Sequence, residues 1–348
     1  MNNADQQPAI PEATEDEDYV RWAYRVLLGK EPSPSLPAEL KADHDRLLRT
    51  ILNSPEFRLR FVSQLGQFAR SPYSSWNREA VAFIHLHKTG GTTFHSLLSA
   101  CFPSDRVCPE RFETLHLWTP SDLANYDLFS GHFDYFALKY IPRRRIRTVS
   151  MFRDPIERQI SLYRFARAHS PDEFAHDKNV QLANALSAEE YFEHEHIVRQ
   201  KWYNNTYLLV FGASLYDQAT FNAILADTLS DPAPARRDEL VTFALTRAKD
   251  RIASLDAIGL TERFAESTEV IFGALGLPVP EAINAHMVTD NLPDEKGRYR
   301  KAPPVVMTPR LSSALERLTR FDRMLYDFAR DEFERRGPHL AQAQKNQA

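Results

Sequence analysis

Apolar and polar positions alternate along the chain in a way that predicts strands separated by helices. An apolar run at 81–86 has the length and the β-branched and aromatic content of a buried strand. After a short polar turn, apolar residues recur at intervals of three and four, which predicts an amphipathic helix that contains Phe94 and Leu98. Further apolar runs at 128–132 and 146–152 predict two more strands. Strands that alternate with helices favour an α/β fold of the P-loop type, in which helices cover a parallel sheet and the ligand binds at the carboxyl ends of the strands.

The same pattern divides the chain into five segments. Residues 1–17 are acidic and poor in apolar residues, which is typical of a disordered tail. Residues 18–66 carry two apolar stripes at helical spacing and predict a small all-helical extension. Residues 67–78, which are rich in serine, read as a linker. The main domain is expected at 79–335, followed by a flexible tail at 336–348.

Composition and charge indicate a soluble protein. Of the 348 residues, 43% are hydrophobic and 26% are charged, which is enough to build a full core. A net charge of −4 gives no reason to expect a nucleic-acid partner. The sequence has neither an apolar run long enough to span a membrane nor a secretory signal, so we expect a cytoplasmic protein. Two cysteines, Cys101 and Cys108, are too few for a disulfide framework, although a single bridge between them stays open.

A glycine turn joins the first predicted strand to the helix that follows it. Gly90 and Gly91 allow the backbone to turn tightly and to approach a ligand, so that the N–H groups at the helix start face an anion. Lys88 precedes the glycines, whereas the lysine follows them in the GxxxxGK[ST] loop of nucleoside-triphosphate enzymes. We therefore predict a phosphate-binding loop of a different kind, formed by Lys88, Thr89, Gly90, Gly91, Thr92 and Thr93.

A second helix start follows the strand predicted at 146–152. Asp154 stands at the cap position and Pro155 at the first helical position. Asp154, Arg158 and Ser161 are spaced by four and three residues, so they share one face of the helix. The alternative that stays open is a solvated helix with its arginines at the surface.

These motifs resemble those of sulfotransferases that use PAPS (3′-phosphoadenosine 5′-phosphosulfate), especially the Golgi heparan-sulfate-type enzymes and their bacterial relatives. Residues 85–94 are similar to the phosphosulfate loop of that family, close to xHxPKTGGTxF, with His87 where proline is usual. Residues 153–161 match its RDPxxRxxS pattern, and residues 258–264, IGLTERF, resemble a late strand-to-helix segment. Residues 18–66 resemble the DUF4214 helical module, whose function is obscure.

The resemblance implies a donor and the residues that hold it. The donor is PAPS, the product is PAP (adenosine 3′,5′-bisphosphate), and no metal is required. Lys88 is assigned to the oxygen that bridges sulfur and the departing phosphate, and the loop N–H groups to the 5′-phosphate. Arg153 and Ser161 would hold the 3′-phosphate. Arg300 and Lys301, in a late basic loop, would contact a phosphate, although a solvated loop is the open alternative.

His132 is the predicted general base. Its GHF setting, between the two nucleotide motifs, resembles that of the catalytic histidine in related glycan sulfotransferases. An ordinary imidazole pKa near 6.5 suits proton abstraction at neutral pH. A structural role for His132 stays open. Some sulfotransferases use a glutamate as the base, so the competing candidates are Glu190, Glu193 and Glu195.

The acceptor is expected to be a hydroxyl of a carbohydrate or glycoconjugate, either a glycan or a glycolipid. Arginines cluster on both sides of the second motif, which suits an anionic donor and also an anionic acceptor. Neither the position sulfated nor the oligomeric state can be read from the sequence. Two other functions stay open, namely a P-loop kinase-like phosphotransferase and a non-catalytic module that binds nucleotide or glycan. His85 and His87 would face one side of a strand, but no carboxylate or cysteine cluster completes a metal site.

Overall fold

A computed structural model describes most of the chain, at residues 15–28, 30–52, 54, 56–57, 78–143, 145–213, 218–228, 236–280 and 299–345. Contacts divide the chain into two compact units, Met1–Ser74 and Ser75–Ala348. The predicted linker lies outside the described residues except for Arg78, as do the first fourteen residues.

Four parallel strands form the sheet of the larger unit. They are β1 (Glu79–Ile84), β2 (Leu128–Gly131), β3 (Arg145–Phe152) and β4 (Ala257–Leu260), in the order β2-β1-β3-β4. Beyond Glu79, every residue of β1 is buried, because β1 lies inside the sheet and helices cover both faces. The strands predicted from apolar runs are therefore confirmed, and so is the α/β class with a parallel sheet.

Helices surround this sheet, and most of them begin at a recognisable cap. Asp154, for example, accepts hydrogen bonds from the backbone N–H groups of Ile156 and Glu157 and so starts the helix Pro155–Ala168 as predicted. In chain order the α-helices of this unit are α4 (Gly91–Ser99), α5 (Pro120–Leu123), α6 (Pro155–Ala168), α7 (Lys178–Ala185), α8 (Ala188–Glu193), α9 (Glu195–Val198), α10 (Gln218–Thr228), α11 (Arg236–Ala253), α12 (Phe264–Leu275), α13 (Pro309–Leu318) and α14 (Arg320–Lys345).

Shorter turns of helix also lie in the described part of this unit. A π-helical turn spans Leu208–Gly212, and 3₁₀ turns lie at Ser104–Arg106, Glu113–Leu117, Tyr135–Tyr140 and Thr261–Arg263. Helices α8 and α9 follow each other closely but are separate. His194 separates them because it ends α8 and its side chain caps α9 by accepting a hydrogen bond from the backbone N–H of His196.

The smaller unit is helical, as its apolar stripes predict. It contains α1 (Glu15–Ala23), a π-helical turn (Tyr24–Leu28), α2 (Ala38–Ala42) and α3 (His44–Leu52). Val20 and Ala23 of α1 pack against Leu47 and Ile51 of α3 to form its core. Helix α1 begins within the predicted acidic tail at 1–17, since Glu15, Asp16 and Glu17 already belong to it.

The C-terminal end also differs from the prediction. Helix α14 continues to Lys345 and so includes much of the segment 336–348, which the sequence assigned to a flexible tail. Arg336 supplies a reason, because its guanidinium donates to the backbone carbonyls of Ala253 and Leu255, at 3.1 and 3.0 Å. Cys101 and Cys108 are free thiols, so no bridge joins them. In the described part of the chain, no helix is both long and apolar enough to cross a membrane.

Candidate active site

The glycine turn connects the carboxyl end of β1 to the first turn of α4. Gly90 has a φ of 74°, in the left-handed region that glycine adopts without strain. Gly91 is required for a different reason, since a Cβ atom there would lie 1.9 Å from Cδ2 of the His85 ring. Lys88 also has a positive φ, of 65°, which places a strained non-glycine residue at the start of the turn. These conformations close the loop tightly over the end of β1.

Threonine hydroxyls fix the loop to its surroundings. The buried Thr89 hydroxyl donates to the Leu86 carbonyl at 2.9 Å. The hydroxyl of Thr261, directly after β4, lies 2.8 Å from the carbonyl oxygen of Thr89 and 3.0 Å from that of Phe152 at the end of β3. One side chain thus joins the loop to two other strands, while Thr92 is exposed and Thr93 is buried. No side chain caps the start of α4, where the prediction places the phosphate.

Lys88 and Arg153, which come from two separate motifs, meet at this loop. The Arg153 guanidinium donates to the Lys88 carbonyl at 3.2 Å. The Lys88 ammonium lies 4.1 Å from the centre of the Phe165 ring of α6. Burial, and then the charge of Arg153, lower the pKa of Lys88 to about 8. Arg153 also pairs with the exposed Glu157 carboxylate at 3.8 Å, which offsets part of its charge. The two neighbouring cations together still favour an anion at this loop.

The polar residues of the RDPxxRxxS helix differ in burial and in the partners they contact. Ser161 lies half-buried on α6, in the turn preceding Phe165. Arg158 is fully buried, which rules out the solvated-helix alternative for this residue. It donates to the Thr206 hydroxyl at 2.7 Å and to the Trp202 carbonyl at 3.2 Å. Asp154 caps the helix and pairs with Arg323 at 2.7 Å.

His132 follows β2 directly, beside the loop. Its Nδ1 atom lies 2.6 Å from the His85 carbonyl oxygen, and because a carbonyl can only accept, Nδ1 carries the proton. The lone pair is therefore on Nε2, as a general base requires. Burial lowers the pKa of His132 to about 4, helped by the charge of Arg111 and opposed by the hydrogen bond to His85. His132 is consequently neutral over the physiological pH range, and the ordinary pKa near 6.5 on which its predicted role relied is wrong for this site.

Two further histidines contact His132, which the sequence did not predict. The His87 ring stacks on it with 3.6 Å between ring centres and an angle of 7°, and the His85 ring lies 4.1 Å away. Burial and the neighbouring charges hold the pKa of both His85 and His87 well below the ordinary value. Within the described ranges, no group of three or more His, Cys, Asp or Glu side chains is arranged to hold a metal ion.

A partly buried ion-pair network borders the histidines, and sequence reasoning missed it. The Lys201 ammonium contacts carboxylate oxygens of Glu113 and of Asp134, the latter at 2.5 Å. Burial raises the pKa of Asp134 to about 6, although Lys201 opposes the shift. The next residue, Trp202, packs edge-on against His87 at 4.2 Å. The position of Asp134, two residues after His132, was the one available signal, since Lys201 is distant in sequence.

The remaining predicted residues lie outside this cluster. Arg300 is exposed at the C-terminal end of α6, where its backbone N–H donates to the Ala168 carbonyl at 2.7 Å and its guanidinium contacts the Asn184 side chain. Lys301 is exposed beside it. The three glutamates that competed for the role of base are all exposed, and each has a structural partner: Glu190 with Ser187, Glu193 with Arg310 and Glu195 with Arg199.

Comparison with known proteins gives one partial similarity. A protein-tyrosine sulfotransferase from Arabidopsis thaliana is 32% identical to this chain over 90 residues. The matched stretch is 26% of this chain and 18% of the plant protein. No family model matches the chain, so the resemblance of residues 18–66 to the DUF4214 module stays a prediction.

Proposed function

We propose that this protein is a PAPS-dependent sulfotransferase that acts on a hydroxyl of a carbohydrate or glycoconjugate. The observation that carries the proposal is the convergence of Lys88, Arg153 and His132 at the carboxyl ends of three adjacent parallel strands. The partial similarity to a sulfotransferase supports the same reaction class. The carbohydrate acceptor rests on the sequence resemblance.

Each of these residues has a separate role in an in-line transfer. Lys88 and the N–H groups at the start of α4 stabilise the negative charge that develops on the departing phosphate. Arg153 and Ser161 hold the 3′-phosphate and so orient the donor. His132 Nε2 takes the proton of the acceptor hydroxyl as the new oxygen–sulfur bond forms and the bond from sulfur to the phosphate oxygen breaks. The products are a sulfate ester, PAP and protonated His132.

The direct test is transfer of labelled sulfate from PAPS to a panel of polysaccharides, glycolipids and small phenols. The native chain should label at least one carbohydrate, whereas Lys88→Ala and His132→Ala should not. Lys139→Ala is a matched control, because Lys139 is an exposed lysine that contacts the Phe136 ring. Transfer of phosphate from ATP in place of sulfate would support the kinase alternative. Binding of PAP without transfer to any acceptor would support a non-catalytic module.

A further inference from the structure

A small cavity adjoins the candidate base on the side of α6. It has a volume of about 230 Å³ and is bounded by α6, the segment leading into α7, and the turn at Trp202 and Tyr203. Two of its lining residues connect it to the reacting groups. His87 stacks on His132, and Phe165 carries the Lys88 ammonium over its ring. A group bound here would therefore lie next to the place where sulfur is transferred.

The size of the cavity limits what it can hold. Pockets that enclose a drug-sized ligand measure roughly 300–1,000 Å³. A cavity of about 230 Å³ is smaller, so it accommodates a single ring but not a whole nucleotide or a disaccharide. The rest of a larger acceptor would have to extend outside it.

The walls are mainly aromatic and apolar. Rings of Phe165, Phe174 and Trp202 line the cavity together with aliphatic side chains. The face of an aromatic ring carries partial negative charge, so it attracts the slightly positive C–H groups on the flat side of a sugar ring. Such walls suit a pyranose and also a planar aromatic ring.

The polar groups in the walls favour the sugar. His169 Nδ1 donates to the Phe165 carbonyl at 2.7 Å, which leaves its Nε2 as an acceptor. Asp177 uses Oδ1 to cap α7, and no described hydrogen bond engages its Oδ2. The amide of Asn179 is already paired with that of Gln200. Asp177 Oδ2 and His169 Nε2 are thus acceptors, and several sugar hydroxyls can donate to them where a phenol has one.

The charge of the cavity favours a neutral sugar. Asp177 places a carboxylate at its edge, and no lysine or arginine is among the described residues that line it. A sugar carboxylate or sulfate bound here would face that like charge. We infer that the cavity binds one uncharged sugar ring of the acceptor, an inference that rests on the proposed function. The anionic acceptor that the clustered arginines suggested is therefore disfavoured at this subsite.

The experiment compares matched neutral and acidic sugars as acceptors. The probes are methyl glycosides of glucose, galactose and mannose, their uronic-acid counterparts, and tyrosine amide, each with labelled PAPS. The native chain should prefer neutral sugars by roughly 10-fold or more in kcat/KM. Asp177→Asn, which keeps the cap, should reduce that preference several-fold. Asp172→Asn is the matched control, since Asp172 is an exposed carboxylate of the same segment that does not line the cavity.

Phe174→Ala tests the apolar wall. It should weaken the use of neutral sugars by roughly 10-fold and leave the affinity for PAP unchanged. Preference for the uronic acids, labelling of tyrosine amide alone, or an Asp177→Asn chain with native selectivity would overturn the inference. Weaker PAP binding by Phe174→Ala would also overturn it, because the cavity would then hold the adenine ring of the donor.

Calorimetry with PAP separates the two proposals. A native chain that does not bind PAP contradicts the proposed function, whatever the cavity binds. If no probe is labelled, binding of the methyl glycosides is measured by saturation-transfer NMR. Neutral sugars that bind to the native chain and not to Phe174→Ala support the cavity assignment, and sugars that bind to neither reject it.

Discussion

Lys88 should make donor binding weaken as the pH rises above 8. Its pKa in the free protein is about 8, lowered first by burial and then by Arg153. An anionic donor placed against the ammonium favours the charged form, so it raises that pKa again. Binding above pH 8 therefore requires uptake of a proton, and this requirement makes the dissociation constant grow with pH.

The size of the effect follows from the fraction of Lys88 that is charged. With a pKa of about 8, Lys88 is about 90% protonated at pH 7 and about 10% protonated at pH 9. The affinity for PAP should therefore fall roughly 10-fold between these pH values, or about 1.4 kcal/mol. The phosphates of PAP add little to this change, because their second pKa is near 6.

Isothermal titration calorimetry with PAP at pH 7, 8 and 9 measures both the affinity and the number of protons taken up on binding. Buffers of different ionisation enthalpy report the proton taken up, which should approach one per PAP at pH 9. Lys88→Arg keeps its charge over this range and should show a flat affinity, while Lys139→Ala should keep the native slope. An affinity that is constant from pH 7 to 9 in the native chain would refute the assignment of Lys88 to the donor. A slope that persists in Lys88→Arg would refute it equally.

Three other predictions test the rest of the site. Arg153→Ala should remove most of the preference for PAP over adenosine 5′-phosphate, about 10- to 150-fold, in calorimetric titrations, and equal affinities for both nucleotides in the native chain would contradict the role of Arg153. His132→Ala should lower turnover about 100- to 10,000-fold while PAP affinity stays within a few-fold. In the native enzyme saturated with PAPS, the kcat/KM for the acceptor should fall with decreasing pH only near 4, where His132 gains its proton, and an acid limb near 6.5 under these conditions would show that another group is the base. Gly91→Ala should lower the thermal midpoint and weaken PAP binding, because overpacking against His85 costs about 1–3 kcal/mol, whereas Gly337→Ala meets only ordinary contacts and should be neutral.

The parts of the site that depend on local sequence were predictable. The glycine turn, the Asp154 cap and the strands on either side involve residues close together in the chain, where spacing and residue type determine the outcome. The meeting of Lys88 and Arg153 also followed, since parallel strands bring their carboxyl ends to one edge of the sheet.

The packing around the histidines was not predictable in the same way. His87 stands where the phosphosulfate loop that this segment resembles usually has proline. A single sequence does not show that the His87 ring would stack on His132, which lies 45 residues later in the chain. Lys201 contacts Glu113 and Asp134 across separations of 88 and 67 residues. Such pairs depend on how the loops after each strand fold back, and apolar periodicity carries no information about that.

Tyr207 makes the position of Arg153 depend on a helix near the C-terminal end of the chain. Its hydroxyl donates to the Arg153 carbonyl at 2.6 Å, and its backbone N–H donates at 2.8 Å to Asp322, a fully buried residue of α14. An ancestral exchange of gene segments with a breakpoint between these positions would have separated Arg153 from the helix that supports it. The segment that carries Arg153 should therefore be inherited together with its C-terminal helix, and Asp322 should be retained among relatives whatever side chain stands at position 207, because it accepts from the backbone of that residue.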